Sequence, residues 1–180
     1  MGIEVLIPDF NGSDDLLRIV MDARPDILNH NLETVRRLQR PVRKRARWDR
    51  TLGVLERAKA YASEYGQSAH TKSSLMVGLG ETRTEMSEAF EALREVVCDI
   101  LTIGQYLRPS LNHLPVERYY HPDEFVEMKA EALALGFKHV ESGPLVRSSY
   151  HARDQVPGAE LRAVRRRATV DAQGRVVPAG

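Results

Sequence analysis

Polar side chains that could bind a ligand recur at five points of this 180-residue chain, each where a short apolar run ends. The five sets are Asp9 with Asn11, residues 29–33, residues 78–81, residues 105–110 and residues 147–150. Loops that follow the strands of a parallel sheet converge at one end of the fold, where ligands bind. Amides, carboxylates and arginines gathered there favour a ligand site over a series of ordinary turns.

The most specific of these sets are Asn31 with Glu33 and Gly78 with Gly80. An amide beside a carboxylate suits recognition of hydroxyl groups, although Asn is also a common turn residue that bonds its own backbone. The two glycines allow a ligand to approach the backbone closely. They lack the third glycine of a dinucleotide-binding loop and the lysine of a P-loop, so neither of those functions is indicated.

The sequence offers few residues that could bind a metal or act as a catalytic nucleophile. His113 and His121 fall in a loop without a third ligand nearby. Cys98 is the sole cysteine, so it can hold neither an iron–sulfur cluster nor a structural zinc by itself, and we expect a small buried hydrophobe. Ser148 and Ser149 lack a nucleophile elbow. A single cysteine also suits the reducing cytosol, and we expect a cytoplasmic protein.

Composition indicates one soluble globular domain, with 42% hydrophobic and 28% charged residues. No apolar run approaches the roughly 18 residues of a membrane span, and the first residues lack the basic region of a signal peptide. The net charge of +1 conceals two basic stretches, 36–50 and 153–175. The second lacks interleaved aromatic residues, so we expect a flexible, solvated tail over 153–180 rather than a nucleic-acid site.

Periodicity predicts alternating strands and helices. Strands are expected over 3–7, 26–29, 74–77, 99–103 and 137–140, and helices over 13–23, 33–39, 49–65, 82–97 and 123–135. Such alternation indicates an α/β protein with a parallel sheet whose two faces are covered. Because a complete (β/α) barrel needs about 250 residues, the chain is expected to form either a small doubly wound sheet or part of a barrel.

Seven sequence blocks resemble one family. They are VLIPDF at 5–10, NHNLETV at 29–35, TKSSLMVGLGET at 71–82, LTIGQYLRPS at 101–110, HLPV at 113–116, PDEF at 122–125 and GPLVRSSYHA at 143–152. In this order they are similar to lipoyl synthase, a family of radical S-adenosylmethionine enzymes. The second block also resembles biotin synthase, but the last block points to lipoyl synthase.

The resemblance implies a partial (β/α) barrel of the radical S-adenosylmethionine type. In the family, one [4Fe-4S] cluster reduces S-adenosyl-L-methionine to a 5′-deoxyadenosyl radical, which abstracts hydrogen from two carbons of a protein-bound octanoyl chain. A second, auxiliary [4Fe-4S] cluster supplies both sulfur atoms. The implied partner is an octanoylated lipoyl carrier domain or the glycine cleavage H protein, together with an electron donor.

The resemblance also implies roles for individual residues. Asn31 and Glu33 match positions that contact the ribose of S-adenosylmethionine. The remaining implied cofactor-binding residues are Lys72, expected at the mouth of its strand and near the methionyl carboxylate, Gly78, Gly80 and Glu81 around the cofactor, Gln105 and Tyr106 near the adenine, and Arg147 beside the auxiliary cluster. Ser148 is the implied metal ligand, with Ser149 as the alternative. No catalytic residue is assigned within this chain.

One departure from the family is large, because both of its cysteine triplets are absent. We therefore expect residues 1–152 to form the second half of the barrel with the C-terminal segment, and the isolated chain to be inactive. The chain would be the product of a truncated or mis-started frame, a fragment of a longer protein, or half of a split enzyme. Alternatively, it is a non-catalytic module that binds the carrier or an N-terminal partner. Because half a barrel exposes strand edges, we expect self-association.

Overall fold

The computed structural model describes residues 2–149, 169–170 and 176–177. The strands are β1 (Glu4–Leu6), β2 (Ile27–Asn29), β3 (His70–Val77), β4 (Ile100–Gln105), β5 (His139–Gly143), β6 (Thr169–Val170) and β7 (Val176–Val177). The α-helices are α1 (Asp14–Asp22), α2 (Gln39–Val42), α3 (Trp48–Glu64), α4 (Arg83–Glu95) and α5 (Pro122–Ala134). Short 3-10 helices cover Phe10–Gly12 and Arg36–Leu38.

Strands β1 to β5 form one sheet in chain order, and every neighbouring pair is parallel. Each new strand is therefore added on the same side of the sheet, with no reversal of direction. A doubly wound sheet requires such a reversal, at which the strand order switches. The sheet is thus an arc of a (β/α) barrel, and the alternative that periodicity left open is settled.

Strand β3 contributes buried polar side chains to this arc. Along β3, Leu75 and Val77 belong to the hydrophobic core, which the helices cover. Lys72 and Ser74 alternate with them, as side chains on successive residues of a strand must, and both are buried. The concave face of the sheet is therefore partly polar, where the sequence predicted continuously apolar strands.

Helix boundaries follow capping residues. Ser13 accepts a hydrogen bond from the Leu16 amide at the start of α1. Thr82 and Glu85 form the expected capping box of α4, in which each side chain binds the other residue's backbone amide. The predicted helix over 33–39 was wrong at its beginning, because Glu33 instead forms a β-bridge with Leu75.

The lower end of the sheet is held by the buried carboxylate of Asp99, just before β4. It accepts a hydrogen bond from the Thr71 amide at 3.0 Å, and it forms ion pairs with Lys59 at 2.5 Å and Lys138 at 3.0 Å. Burial alone raises the pKa of Asp99, but its interactions with His70, Lys59 and the Thr71 amide outweigh burial and hold the pKa far below its usual range. This carboxylate stabilises the sheet at the end opposite the loops.

The sequence predicted a tail over 153–180 and no membrane span. The proposed tail over 153–180 lies outside the described residues, apart from β6 and β7, which pair antiparallel. The division at residue 152 therefore stays a prediction. Within the described part of the chain, no helix is long and apolar enough to cross a membrane.

Candidate functional site

A cleft of about 900 Å³ opens at the carboxyl ends of β3 and β4. Six of the site residues that the resemblance implies line it, namely Asn31, Glu33, Gln105, Tyr106, Arg147 and Ser148. Its size is in the range of clefts that hold small organic molecules. Residues from four of the five predicted sets are thus brought to one place, because Leu79 of residues 78–81 also lines the cleft.

The Asn31–Glu33 pair is the most constrained part of the cleft. The Asn31 Nδ2 donates to Glu33 Oε1 at 3.2 Å. The Glu33 amide donates to the Ser74 carbonyl and its carbonyl accepts from the Met76 amide, both at 2.8 Å. Glu33 is therefore fixed against the end of β3, with its carboxylate facing the cleft.

Glu33 has a φ of +72°, a left-handed conformation that is costly for a residue other than glycine, and such strain is concentrated at functional sites. The Asn31 Oδ1 is buried without a partner among the described residues. An unpaired buried acceptor is unfavourable, and a ligand hydroxyl would satisfy it. The pair thus offers a carboxylate and a free amide oxygen to a diol.

The glycine loop, residues 78–81, supports one wall of the cleft. Of these four residues, only Leu79 lines the cleft. Gly78 has a φ of +105°, and a Cβ there would lie 2.2 Å from Gln105 Nε2 and 2.6 Å from the Arg118 carbonyl. The Glu81 carboxylate accepts from the Gly78 amide at 2.6 Å and from the Leu79 amide at 2.9 Å. Gly78, Gly80 and Glu81 therefore shape the wall, and Leu79 is the loop residue that reaches the cleft.

Glu81 also faces a tyrosine. Burial and then the charge of Glu81 raise the pKa of Tyr120 to about 12. Glu81 and Tyr120 therefore lie near each other, which places the glycine loop beside the segment before α5.

Gln105 and Tyr106 anchor the long loop that follows β4. Gln105 Nε2 donates to the Arg118 carbonyl at 3.0 Å, and its Oε1 accepts from the Tyr120 amide at 3.1 Å. The Tyr106 hydroxyl donates to the Leu114 carbonyl at 2.9 Å. Both side chains thus hold the loop that forms the far side of the cleft.

Lys72 occupies a different place from the one expected. It is the third residue of β3, not at its mouth, and it is absent from the cleft lining. Its ammonium donates to both oxygens of Glu4, at 2.9 and 3.1 Å. Burial lowers the pKa of Lys72, although the ion pair with Glu4 opposes this. Its charge is already neutralised within the protein, and a role toward a carboxylate ligand stays a prediction.

The segment after β5 folds over the end of β4. A Cβ on Gly104 would lie 2.2 Å from the Val146 carbonyl, so only glycine allows this approach. Arg147 and Ser148 then line the cleft, whereas Ser149 is exposed and lies outside the lining. Residues 150–152 of the same block lie outside the described residues. The geometry thus favours Ser148 over Ser149 as the residue that faces a ligand.

The described residues contain no group of three His, Cys, Asp or Glu side chains that could hold a metal ion. Cys98 is fully buried, as expected, and burial raises the pKa of its thiol to about 12. His113 bonds Ser110 at 2.9 Å, and His121 caps α5. This donor set does not fit an iron–sulfur cluster, which requires several thiolates.

Two cations at the cleft were not identified from the sequence. Arg43 and Lys44 line it, and the Arg43 guanidinium donates to the Asn31 carbonyl at 3.0 Å. The only sequence signal was the basic stretch that contains them. With Met76, Leu79 and Leu107 as apolar lining, the cleft fits an amphiphilic molecule that carries hydroxyl groups, an apolar part and an anionic group.

Comparison with known proteins gives one matching family model, the radical SAM superfamily, over residues 1–93. Lipoyl synthase of Symbiobacterium thermophilum is 58% identical over 89% of this chain and 49% of that protein. Those of Koribacter versatilis and Halalkalibacterium halodurans are 59% and 57% identical, over 85% and 92% of this chain and 49% and 54% of those proteins. The chain spans about half the length of the curated relatives it matches.

Proposed function

We propose that this chain, which belongs to the radical SAM superfamily, supplies the S-adenosylmethionine-binding side of a lipoyl synthase. The observation that carries the proposal is the Asn31–Glu33 pair, fixed in a cleft of about 900 Å³. Its hydroxyl-binding groups stand where the resemblance to lipoyl synthase implies ribose contacts. The proposed substrate is an octanoyl chain on a lipoyl carrier domain or a glycine cleavage H protein, and the proposed location is the cytoplasm.

The residues present fit S-adenosylmethionine. Glu33 would accept from the ribose hydroxyls, and the unpaired Asn31 Oδ1 would accept from one of them. Leu79 and the backbone around Tyr106 would enclose the adenine. Arg43 and Arg147 would stand closer than Lys72 to the carboxylate of the methionyl group, because they line the cleft and Lys72 does not. When bound, this cofactor supplies the radical chemistry of the superfamily, and the protein holds it in place and excludes water.

The described residues do not provide the thiolate ligands that the iron–sulfur clusters require. In our proposal their thiolate ligands come from a segment outside these 180 residues, joined to this chain or separate from it. Ser148 would face the auxiliary cluster from this side. No step of the reaction is assigned to residues of this chain alone.

A chimera tests the proposal. The amino-terminal half of Symbiobacterium thermophilum lipoyl synthase would be joined to this chain, reconstituted with iron and sulfide without oxygen, and given S-adenosylmethionine, a reductant and octanoylated H protein. We expect lipoylated H protein by mass spectrometry. A matched chimera with Glu33→Gln should carry the same iron content and form less product. If the unmodified chimera held its clusters and released no lipoyl product, the proposal would be wrong.

A further inference from the structure

A basic surface borders the cleft, and the proposed cofactor does not account for it. Residues 36–50 contain eight arginines or lysines and one acidic residue, Asp49. Arg36 pairs with Asp49 at 3.0 Å, Arg37 with Glu85 at 2.7 Å, and Arg50 with Asp9 at 3.1 Å. The cations left exposed and without an ion pair among the described residues are Arg40, Lys44, Arg45 and Arg47, which we call the basic rim.

The segment that carries the basic rim, residues 40–47, borders the cleft. Pro41, Val42 and Lys44 line the cleft directly, and Arg43 binds the Asn31 carbonyl at 3.0 Å. A macromolecule that places a reacting group in the cleft must therefore rest on or beside this surface. Four unpaired cations in eight residues attract an acidic surface and steer its approach.

The surroundings favour a protein over a nucleic acid or a membrane. No large hydrophobic side chain is exposed between Ile19 and Tyr65 among the described residues, so nothing in this segment would insert into a bilayer. The one aromatic residue of the basic stretch 36–50, Trp48, is buried, with Arg36 over its ring at 5.2 Å. Bases of a single strand would find no exposed aromatic surface on which to stack.

The geometry points to the basic rim as the docking surface for an acidic carrier protein, placed so that its acylated lysine enters the cleft. This inference rests on the proposed function, since that function requires a protein-bound acyl chain. It goes further by assigning carrier recognition to the charges of Arg40, Lys44, Arg45 and Arg47. Arg40, Arg45 and Arg47 lie outside the cleft lining, whereas Lys44 belongs to it.

The test measures binding of octanoylated H protein to the 180-residue chain by calorimetry, without any requirement for catalysis. We expect Arg45→Glu with Arg47→Glu to weaken binding about tenfold, because each reversal replaces attraction by repulsion. The matched control is Arg18→Glu with Arg24→Glu, two exposed cations on α1 and just after it that lie outside the cleft lining, which should change affinity little. Affinity of the unmodified chain should fall as ionic strength rises toward 0.15 M, where the screening length is about 8 Å.

Three results would overturn the docking proposal: no binding of octanoylated H protein, equal affinity of both double variants, or binding indifferent to salt. Tighter binding of single-stranded RNA or anionic vesicles, lost in Arg45→Glu with Arg47→Glu, would assign the rim to those partners instead. Thermal melting checks that both variants remain folded. Failure of the chimera to make lipoyl product would contradict the proposed function separately, since the binding measurement does not depend on that reaction.

Discussion

At the scale of single residues, Glu33 carries the greatest functional weight. Its backbone conformation, at a φ of +72°, is stabilised by the bridge to β3 rather than by its own preference. Within the described residues, the hydrogen bond from Asn31 is the contact through which the Glu33 carboxylate stabilises the fold. A residue whose conformation is costly and whose side chain is left for a ligand is typical of a binding site.

Replacing Glu33 by Gln tests this assignment. The amide keeps the shape but loses the charge that strengthens bonds from ligand hydroxyls, so affinity for S-adenosylmethionine should fall about tenfold. Isothermal titration of the chain would measure it. Glu56→Gln, on the exposed side of α3, is the control and should bind as the unmodified chain does. Unchanged affinity of the Glu33 variant would remove this residue from the site.

Gly78 supports the site sterically. In Gly78→Ala the new Cβ would meet Gln105 and the Arg118 carbonyl at a φ that disfavours any side chain. We expect a loss of more than about 3 kcal/mol in the free energy of unfolding. Gly66→Ala, with a φ of +59° and open space around its Cβ, should lose only about 1 kcal/mol. Urea denaturation distinguishes the two, and equal losses would show that crowding at Gly78 is unimportant.

At the scale of elements, the sequence predicted helices better than strands. Capping residues and Gly136 mark helix ends chemically, so α4 and α5 were located to within a residue or two. Strand β3 begins at His70, four residues before the predicted start at Ser74. The residues of β3 that the prediction left out include Lys72 and Ser73, which are polar although buried. Lys72 pairs with Glu4 of β1, and Ser73 accepts a hydrogen bond from the Leu32 amide after β2. Periodicity along one chain does not reveal such distant partners.

The residues of the candidate site were likewise predicted where they are close in sequence and missed where they are distant. Asn31 and Glu33 are close in sequence, so their proximity followed from a local motif. The pairing of Lys72 with Glu4 joins residues on nonadjacent strands, and nothing in the sequence around either residue indicates it. Arg43 and Lys44 were visible only as members of a basic stretch.

Asp99 links elements and gives a pH dependence. Its pKa is lowered in the folded protein, so its stabilising contribution is complete above the unfolded value of about 3.9 and is lost as pH falls toward the folded value. Asp99→Asn should therefore reduce the free energy of unfolding by about 3 kcal/mol near neutral pH, and the difference should shrink below about pH 4. Chemical denaturation across pH measures it.

A matched change at an exposed carboxylate, Asp15→Asn in the first turn of α1, provides the comparison. It removes one charge near a helix start and should cost less than about 1 kcal/mol. A difference between Asp99→Asn and the unmodified chain that persisted unchanged into strong acid would contradict the role given to the Asp99 ion pairs.

At the scale of the whole molecule, the sheet is open. Among the described residues β1 pairs only with β2, and its Leu6 side chain is 60% exposed. The five strands keep chain order and one direction of winding, which is the geometry of an unfinished barrel. Sequence blocks indicated this fold through resemblance, whereas strand order itself had to come from the structure.

The open edge predicts association. An exposed strand with an apolar side chain presents unpaired backbone groups to another chain, so the isolated protein should self-associate through β1. Leu6→Lys places a charge on this edge and should shift sedimentation toward the monomer. Val126→Lys, on the exposed side of α5, where the side chain is 66% exposed, should leave self-association unchanged. If both variants sedimented alike, or if the unmodified chain were a monomer at every concentration, the β1 edge would not be an association surface. If only the Leu6→Lys variant were monomeric, the β1 edge would be the association surface. Adding the amino-terminal half of a relative to the unmodified chain should then reduce self-association, because both would bind the same edge.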